Sequence, residues 1–416
     1  EDQGQYLINI KESDTHRYYR YLDENMVDAS TAIEIPIFTK PAVTRKIKVG
    51  GGYQKNDRLS EQYDYKVIYN GGGDLIIDNN DIESYFDLNE FGFYTDSSGL
   101  VTIDKYYEEP RNPANNTIGY SEVISGFVMS DYAVSPVLRF AGGLRIENAV
   151  IFTDVKKYDE LGYKANDPRR QFPGEIFTVN PGSIKELSFL PSLSVIYKID
   201  ESEKRPITAR LNFSRTVARP GIRELSDAVV FDYEVQDFIF GNSNLKTVSI
   251  DNYDARLEYY FNNGDNFSIS PFFKNFTNHI ELVNTNQGFT WQNVDKSTVR
   301  GIELEGRKKI SKNFDFLGNV TLVKSQTEFV LYRLEVQDGL KNYVPIDTTE
   351  RTMFGQAPFV VNGIINYTAD SIGLSIALSY NIQGKKLVFT STDGTPDIFE
   401  MPRHNLDLKI SKKLGK

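Results

Sequence analysis

Apolar and polar residues alternate with a period of two through most of the chain, and that period predicts strands. In NYDARLEYYFNNGDNFSISPFFKNF (252–276), Ala255, Leu257, Tyr259 and Phe261 share one face, and Asp254, Arg256 and Glu258 the other. Beyond NNGD, Phe267, Ile269, Pro271 and Phe273 oppose Ser268, Ser270 and Lys274. Asn-Asn-Gly-Asp is hairpin chemistry. The pattern recurs. Leu193, Val195 and Tyr197 oppose Ser192 and Ser194, and Ile207, Ala209, Leu211 and Phe213 oppose Thr208, Arg210, Asn212 and Ser214. Ile302 and Leu304 oppose Glu303, Glu305 and Arg307; Leu374, Ile376, Leu378 and Tyr380 oppose Ser375, Ser379 and Asn381. Near the end, Leu406, Leu408 and Ile410 oppose Asn405, Asp407, Lys409 and Ser411.

The alternation predicts about thirteen strands, at 28–37, 43–69, 117–130, 136–156, 189–199, 206–217, 248–261, 265–283, 291–308, 313–329, 358–367, 371–385 and 401–413. Helical periodicity is nearly absent. The connections alternate in length. Short ones are FTKP, DYAVS, IDESEK, NNGD, ISKN and TADS; long ones are 70–116, 157–188, 218–247, 330–357 and 386–400, with 284–290 as the exception. In an antiparallel meander this gathers the long loops at one end, as in outer-membrane barrels. Sandwiches mix loop lengths and cross by Greek keys. The same parity makes 43–69 one long strand, although GGG at 50–52 could mark a bend. The apolar face is medium to large on nearly every strand. Lipid accepts such a face without shape matching, whereas a sandwich core must interdigitate.

Composition narrows the classes. The chain has 416 residues and a net charge of −10. That argues against a nucleic-acid partner, which needs a basic stripe. Cysteine is absent, and the three histidines, His16, His279 and His404, lie far apart in sequence. No disulfide, thiolate metal site or cysteine nucleophile is possible. No apolar run reaches the length of a transmembrane helix, and Glu1 opens an ordinary polar segment rather than a signal peptide. The 25 Tyr and 27 Phe suit strands and the aromatic girdles of a membrane barrel.

Several segments, in order, carry a resemblance: SRTVARPGIREL (214–225), GNSNLK (241–246), NYDARLEYYF (252–261), FFKNFTNHIE (272–281), VRGIELEGRKKI (299–310), GQAPFVVNGIINY (355–367) and RHNLDLKISKKLG (403–415). YRYLDENMVDAS (19–30) and AGGLRIEN (141–148) also fit. The chain resembles the C-terminal part of the barrel of TonB-dependent outer-membrane receptors, in the style of the Bacteroidota branch. The resemblance implies an all-β, large antiparallel transmembrane β-barrel in the Gram-negative outer membrane, of which this chain supplies about 13 of 22 strands. It implies uptake of a nutrient such as a siderophore, glycan or peptide, with energy from TonB. Residues 1–416 then read as a single barrel domain incomplete at both ends. The plug and the TonB-contacting segment are expected outside it, and a surface lipoprotein is a further expected partner. Arg139, Arg145, Glu147, Arg210, Arg256, Glu258, Glu303, Glu305 and Arg307 would face the lumen or plug.

Candidate chemistry is sparse. Asp74, Asp78, Asp81, Glu83 and Asp87 crowd the longest loop with oxygens that calcium favours, but the glycine of an EF-hand is misplaced. The segment reads as a hydrated acidic loop. Glu303 and Glu305 share a strand face about 7 Å apart, a spacing glycosidases use, yet Arg300, Arg307 and Lys308 crowd them. No nucleophile elbow or P-loop is present. The chain reads as a non-enzyme with no metal site and no cofactor. Phe231, Tyr233, Phe238, Phe240, Phe289 and Trp291 cluster in or beside outer loops and are the candidate ligand-contact residues. Two rival readings remain at this stage. One is a non-transporting barrel subunit of an outer-membrane complex; the other is a soluble all-β carbohydrate-binding or adhesion module.

Overall fold

The computed structural model describes residues 6–8, 16–40, 43–69, 75–77, 92–95, 97–103, 105–108, 116–158, 175–200, 206–232, 237–261, 263–285, 288–337, 340–391 and 396–414. The main strands are β1 (His16–Lys40), β2 (Val43–Tyr69), β3 (Thr117–Ala133), β4 (Leu138–Tyr158), β5 (Glu175–Asp200), β6 (Ile207–Ala218) and β7 (Val248–Tyr260). They continue with β8 (Asn266–Thr285), β9 (Gly288–Lys309), β10 (Phe314–Gln337), β11 (Phe359–Ala369), β12 (Leu374–Gln383) and β13 (His404–Lys412). Each predicted strand is present. The GGG of 50–52 lies inside β2 and does not interrupt it.

Contacts group the chain into two compact units: residues 1–25, 58–118 and 154–179, and residues 26–57, 119–153 and 180–416. Within the first, Tyr6–Ile8 pairs with Leu75–Ile77, Phe93–Thr95 with Val101–Ile103, and the end of β2 with Lys105–Glu108. Arg20 Nε donates to Gln62 Oε1 at 2.8 Å, and the Gln62 N–H donates to Asn116 Oδ1 at 3.0 Å.

The second unit holds the long ladder. Its strands pair in sequence order from β1 to β13. Glycines bring β3, β4 and β5 into close approach: a Cβ on Gly143 would lie 2.2 Å from Val128 O, and one on Gly142 2.5 Å from Ser192 O. Two short parallel contacts, Ile239 with Phe289 and Val283 with Thr390, add circuits at the long-loop end. The first and last strands, β1 and β13, have no pairing with each other among the described residues.

The exposed face of this sheet is the apolar one. Leu211 is 60% exposed, Leu322 49% and Leu257 42%, whereas Glu258 is 8% and Ser268 5% exposed. A water-soluble sandwich buries its apolar face, so the soluble reading is set aside. Lipid is the solvent that this face fits. From β7 into its turn the apolar outward run spans Tyr253 to Phe261, the length that crosses a bilayer as a tilted strand, and β8 answers it with Phe267 to Phe273. No helix among the described residues is long and apolar enough to cross a membrane, which says nothing of strands.

The short turns close with local polar bonds. In NNGD, Gly264 takes φ 83°, where a side chain is unfavourable. Asp265 accepts from the Lys309 N–H at 2.6 Å and from Lys308 Nζ at 2.7 Å. In ISKN, Ser311 Oγ accepts from the N–H groups of Asn313 and Phe314, each at 3.2 Å. The expected long loops need correction, because much of them is strand. β1 starts at His16 rather than 28, and β5 at Glu175 rather than 189. β10 runs on to Gln337 and returns as Leu340–Arg351, and Lys386–Ser391 pairs with Ile398–Glu400. Beyond the bilayer the regular apolar–polar alternation fades, as in FVLYRLEV at 329–336, while the backbone pairing continues. The acidic residues 74, 78, 81, 83 and 87 lie outside the described residues.

Candidate functional site

The inward face is built by register. One line of paired residues crosses the sheet from β5 to β13: Lys198, Thr208, Glu258, Ser268, Glu305, Asn319, Asn362, Asn381 and Asn405. Every member is polar. The half nearer β5 is ionic. Arg256 donates through Nε to Glu258 Oε1 (2.9 Å), through Nη2 to Glu305 Oε2 (2.7 Å) and through Nη1 to Ser270 Oγ (3.1 Å). Arg210 Nε reaches Glu258 Oε2 at 3.2 Å, and Ser268 Oγ donates to Glu305 Oε2 at 3.1 Å. The half nearer β13 is a neutral amide relay. Asn362 Nδ2 donates to Asn319 Oδ1 at 2.7 Å, Asn381 Nδ2 to Asn362 Oδ1, and Asn405 Nδ2 to Asn381 Oδ1 at 3.5 Å. Asn362 and Asn381 each give and accept within it, Asn319 accepts and Asn405 donates, so the relay is held together without charge.

A second ionic cluster lies on β4 to β6. Glu147 accepts from Arg145 Nε at 2.7 Å and from Arg219 Nη1 at 2.9 Å, while Arg219 Nε meets Glu186 Oε1 at 2.9 Å. Arg139 grips Asp131 with two N–H groups. The expected inward residues Arg139, Arg145, Glu147, Arg210, Arg256, Glu258 and Glu305 thus fall into ion-pair networks. Glu303 and Arg307 share the same face in register with Thr321 and Leu317, and neither has a side-chain partner among the described residues. The carboxylates Glu303 and Glu305 are unequal, because Arg256 and Ser268 hold Glu305.

Above the apolar band, a cap with its own small cores forms at the long-loop end. The turn after Pro220 leads into a single helical turn, Ile222–Leu225, where the Gly221 N–H donates to Glu224 Oε2 at 2.9 Å. Ile222 and Leu225 bury against Ile151, Ile184 and Leu245. A second cluster joins Ile239, Leu282 and Phe289, with Trp291, Phe354 and Phe389 packed on it. Phe289 is 6% exposed and its ring lies 4.6 Å from that of Phe389. Trp291 touches both clusters, and its carbonyl accepts from Asn242 Nδ2 at 2.8 Å. Phe231 and Phe238 face each other across a hairpin with rings 5.4 Å apart. The structure therefore packs Phe289 and Trp291 into the cap, leaves Phe240 half-buried and Phe238 exposed, and does not describe Tyr233.

The cap also encloses an ionic pair that the alternation did not reveal. Asn278 adopts φ 57°, and there the buried positions of β8 switch from even to odd numbers. Asn tolerates that conformation better than most residues. The switch turns His279 and Glu281 inward. Arg351 pairs with Glu281, with side chains 7% and 0% exposed, and lies over the Phe329 ring at 4.5 Å. His279 Nδ1 sits 3.2 Å from Ser297 Oγ and 3.7 Å from Glu281 Oε1. This site is about 20 Å along β8 from Phe273 and so lies beyond the bilayer. Burial, and after it the Arg351 charge, pushes the His279 imidazole down to about 4. The unfolded chain, with an ordinary value of 6.5, therefore takes up a proton that the fold refuses. His279 favours the fold fully above pH 6.5, and that contribution falls by about 1.4 kcal/mol per unit as pH drops towards 4. His279→Gln should flatten this dependence. Burial pushes the Glu281 carboxyl up, with the opposite sign of linkage, but it is common to both proteins. Hydrogen exchange of β9 amides from pH 7 to pH 4 checks the difference, and parallel profiles would refute it.

Comparison with known proteins agrees with this geometry. The family model described as "TonB dependent receptor-like, beta-barrel" matches residues 6–415. No curated protein sequence matches at a significant level. Among solved structures, the ferric-catecholate import receptor Fiu from K12 E. coli, in a closed form, superposes with a TM-score of 0.59 at 12% identity, covering 95% of this chain and 49% of that one. The siderophore receptor PiuA from Acinetobacter baumannii gives 0.58 at 11% identity, covering 95% and 50%. The copper transporter OprC gives 0.55 at 12% identity, covering 96% and 50%. The chain thus spans about half the length of the structures it matches, and at these identities the likeness is one of fold. The family match does not extend to the Bacteroidota branch in particular. An apolar face turned to lipid, an inward face wired by ion pairs and a match from residue 6 to residue 415 together place this chain in the TonB-dependent receptor-like β-barrel family of the Gram-negative outer membrane.

Proposed function

We propose that this chain is a large part of the barrel of a receptor that imports a nutrient across the outer membrane with energy from TonB. The observation that carries the reading is the inward ionic wall. Arg256, Glu258 and Glu305 are already paired with one another, so they present a polar but largely neutralised surface. Such a surface holds a plug by exchangeable hydrogen bonds and releases it without uncovering bare charge. In this reading the plug and the TonB-contacting segment lie outside these 416 residues, and the cap with Phe238 and its neighbouring loops meets the nutrient first. The test is uptake by cells that carry the natural full-length protein, scored over a panel of labelled ferric chelates, copper, glycans and peptides. One class should accumulate in a TonB-positive strain and only bind to the surface in a TonB-deleted strain. Accumulation that ignores TonB would instead favour a passive pore, and none for any class would favour a barrel without import.

A further inference from the structure

Outward charges at the rims of the apolar band are mostly paired. Arg215 grips Asp251 through Nε at 2.7 Å and Nη2 at 3.0 Å. Lys55 meets Asp57 at 2.7 Å, and Lys308 reaches Asp265 at 2.7 Å. Arg300 and Lys324 break this rule. They stand directly opposite each other on β9 and β10. Both are exposed, on the outward face that continues below them through Leu304 and Leu322. Neither has an ion pair or side-chain hydrogen bond among the described residues. Gln326, the next outward residue of β10, already engages Glu350 at 3.1 Å. Like charges directly opposite across a ladder, with Cβ atoms about 5 Å apart, destabilise the pairing. The sheet carries this repulsion with no internal carboxylate to relieve it.

Their level in the bilayer shows what does relieve it. Arg300 pairs on its other side with Phe273, Phe273 with Tyr253, and Tyr253 with Phe213. The rings touch in series, at 5.1 Å between Phe213 and Tyr253 and 6.1 Å between Tyr253 and Phe273. An outward row of aromatics marks the boundary between hydrocarbon and headgroups. Arg300 and Lys324 extend that row, so they sit at headgroup depth at the long-loop end of the sheet.

We propose that Arg300 and Lys324 form a binding site for the phosphate headgroup of an outer-leaflet lipid. The phosphate bridges the two cations, with the guanidinium offering a fork and the ammonium a point charge. The acyl chains follow the apolar face past Leu304 and Leu322. This inference rests on the outer-membrane reading above.

The test uses the natural full-length protein in phosphatidylcholine discs, with phosphatidic acid added as the probe. Wild type should bind the probe and gain thermal stability. The R300Q/K324Q variant should lose roughly thirtyfold in affinity, the worth of two basic residues at a charged membrane surface. Without the probe it should be at least as stable as wild type, since the repulsion is gone. Lys312→Gln, in the turn at the opposite rim, should bind as wild type does. Equal affinity of wild type and R300Q/K324Q would overturn the site, as would an equal loss in Lys312→Gln, which would mark a bulk charge effect. A protein that stays in the aqueous fraction and never enters discs would overturn the outer-membrane reading and this inference together.

Discussion

Leu257→Arg is expected to cost about 2–4 kcal/mol of stability in a lipid bilayer, the range for a basic residue near the midplane of a barrel. A solvent-exposed leucine in a soluble protein would predict the reverse, since surface changes usually fall within about 0.5 kcal/mol. Leu257 is 42% exposed, yet it sits between Tyr253 and Tyr259 on the outward face of β7. Its cross-strand partners are Ala209 and Ile269, which offer the guanidinium no acceptor. Snorkelling would have to carry the charge past a tyrosine in either direction. Depth is the second arm of the test. Tyr253→Arg, at the aromatic rim, should cost at most about 1 kcal/mol, because the penalty fades towards the interface. Reversible urea unfolding of the natural protein in vesicles measures both. Equal stability of Leu257→Arg and wild type would mean that this face does not meet hydrocarbon.

Period-two alternation made this face legible without coordinates. Ala255, Leu257 and Tyr259 against Asp254, Arg256 and Glu258 need only strand geometry to be sorted. The same holds for Arg210, Arg256, Glu258, Glu303, Glu305 and Arg307, which the register places on one face of the sheet. Register between strands was not legible. Asn319, Asn362, Asn381 and Asn405 stand on four different strands, and nothing local announces that they align. Arg219 lay inside the quoted SRTVARPGIREL segment, but its partners Glu147 and Glu186 are 72 and 33 residues away. The packing of the cap was not legible for a different reason. Phe289 and Trp291 resemble ligand-gripping aromatics in sequence, because a loop aromatic that packs a small core and one that faces solvent have the same local pattern. Only the return of Ile239 and Leu282 onto Phe289 decides between them. The inward turn of His279 and Glu281 was not legible because the alternation is broken at Asn278, where the backbone turns left-handed.

Arg351→Met should be the most damaging single change in the cap, at about 3–5 kcal/mol, because it strands a buried carboxylate. Glu281 is fully buried and its partner nearly so. Without the guanidinium, Glu281 must remain charged in a dry site or take a proton to fold, and either route is costly. The loss of the Arg351 contact with Phe329 adds to this. The pair itself, however, is incompletely satisfied. Glu281 Oε1 and the Nε and Nη1 of Arg351 are buried without hydrogen-bond partners in the structure. An ion pair that has surrendered its hydration and recovered only part of its bonds contributes little net stability. E281L/R351M should therefore restore the cap to wild-type stability or exceed it, although each single change weakens it. Hydrogen exchange of the β9 amides, compared across the four proteins of the cycle, reads the coupling directly. If E281L/R351M were as weak as Arg351→Met alone, the pair would be holding the cap together through its charge, and an anion or water bound at the free guanidinium atoms would become the next thing to look for.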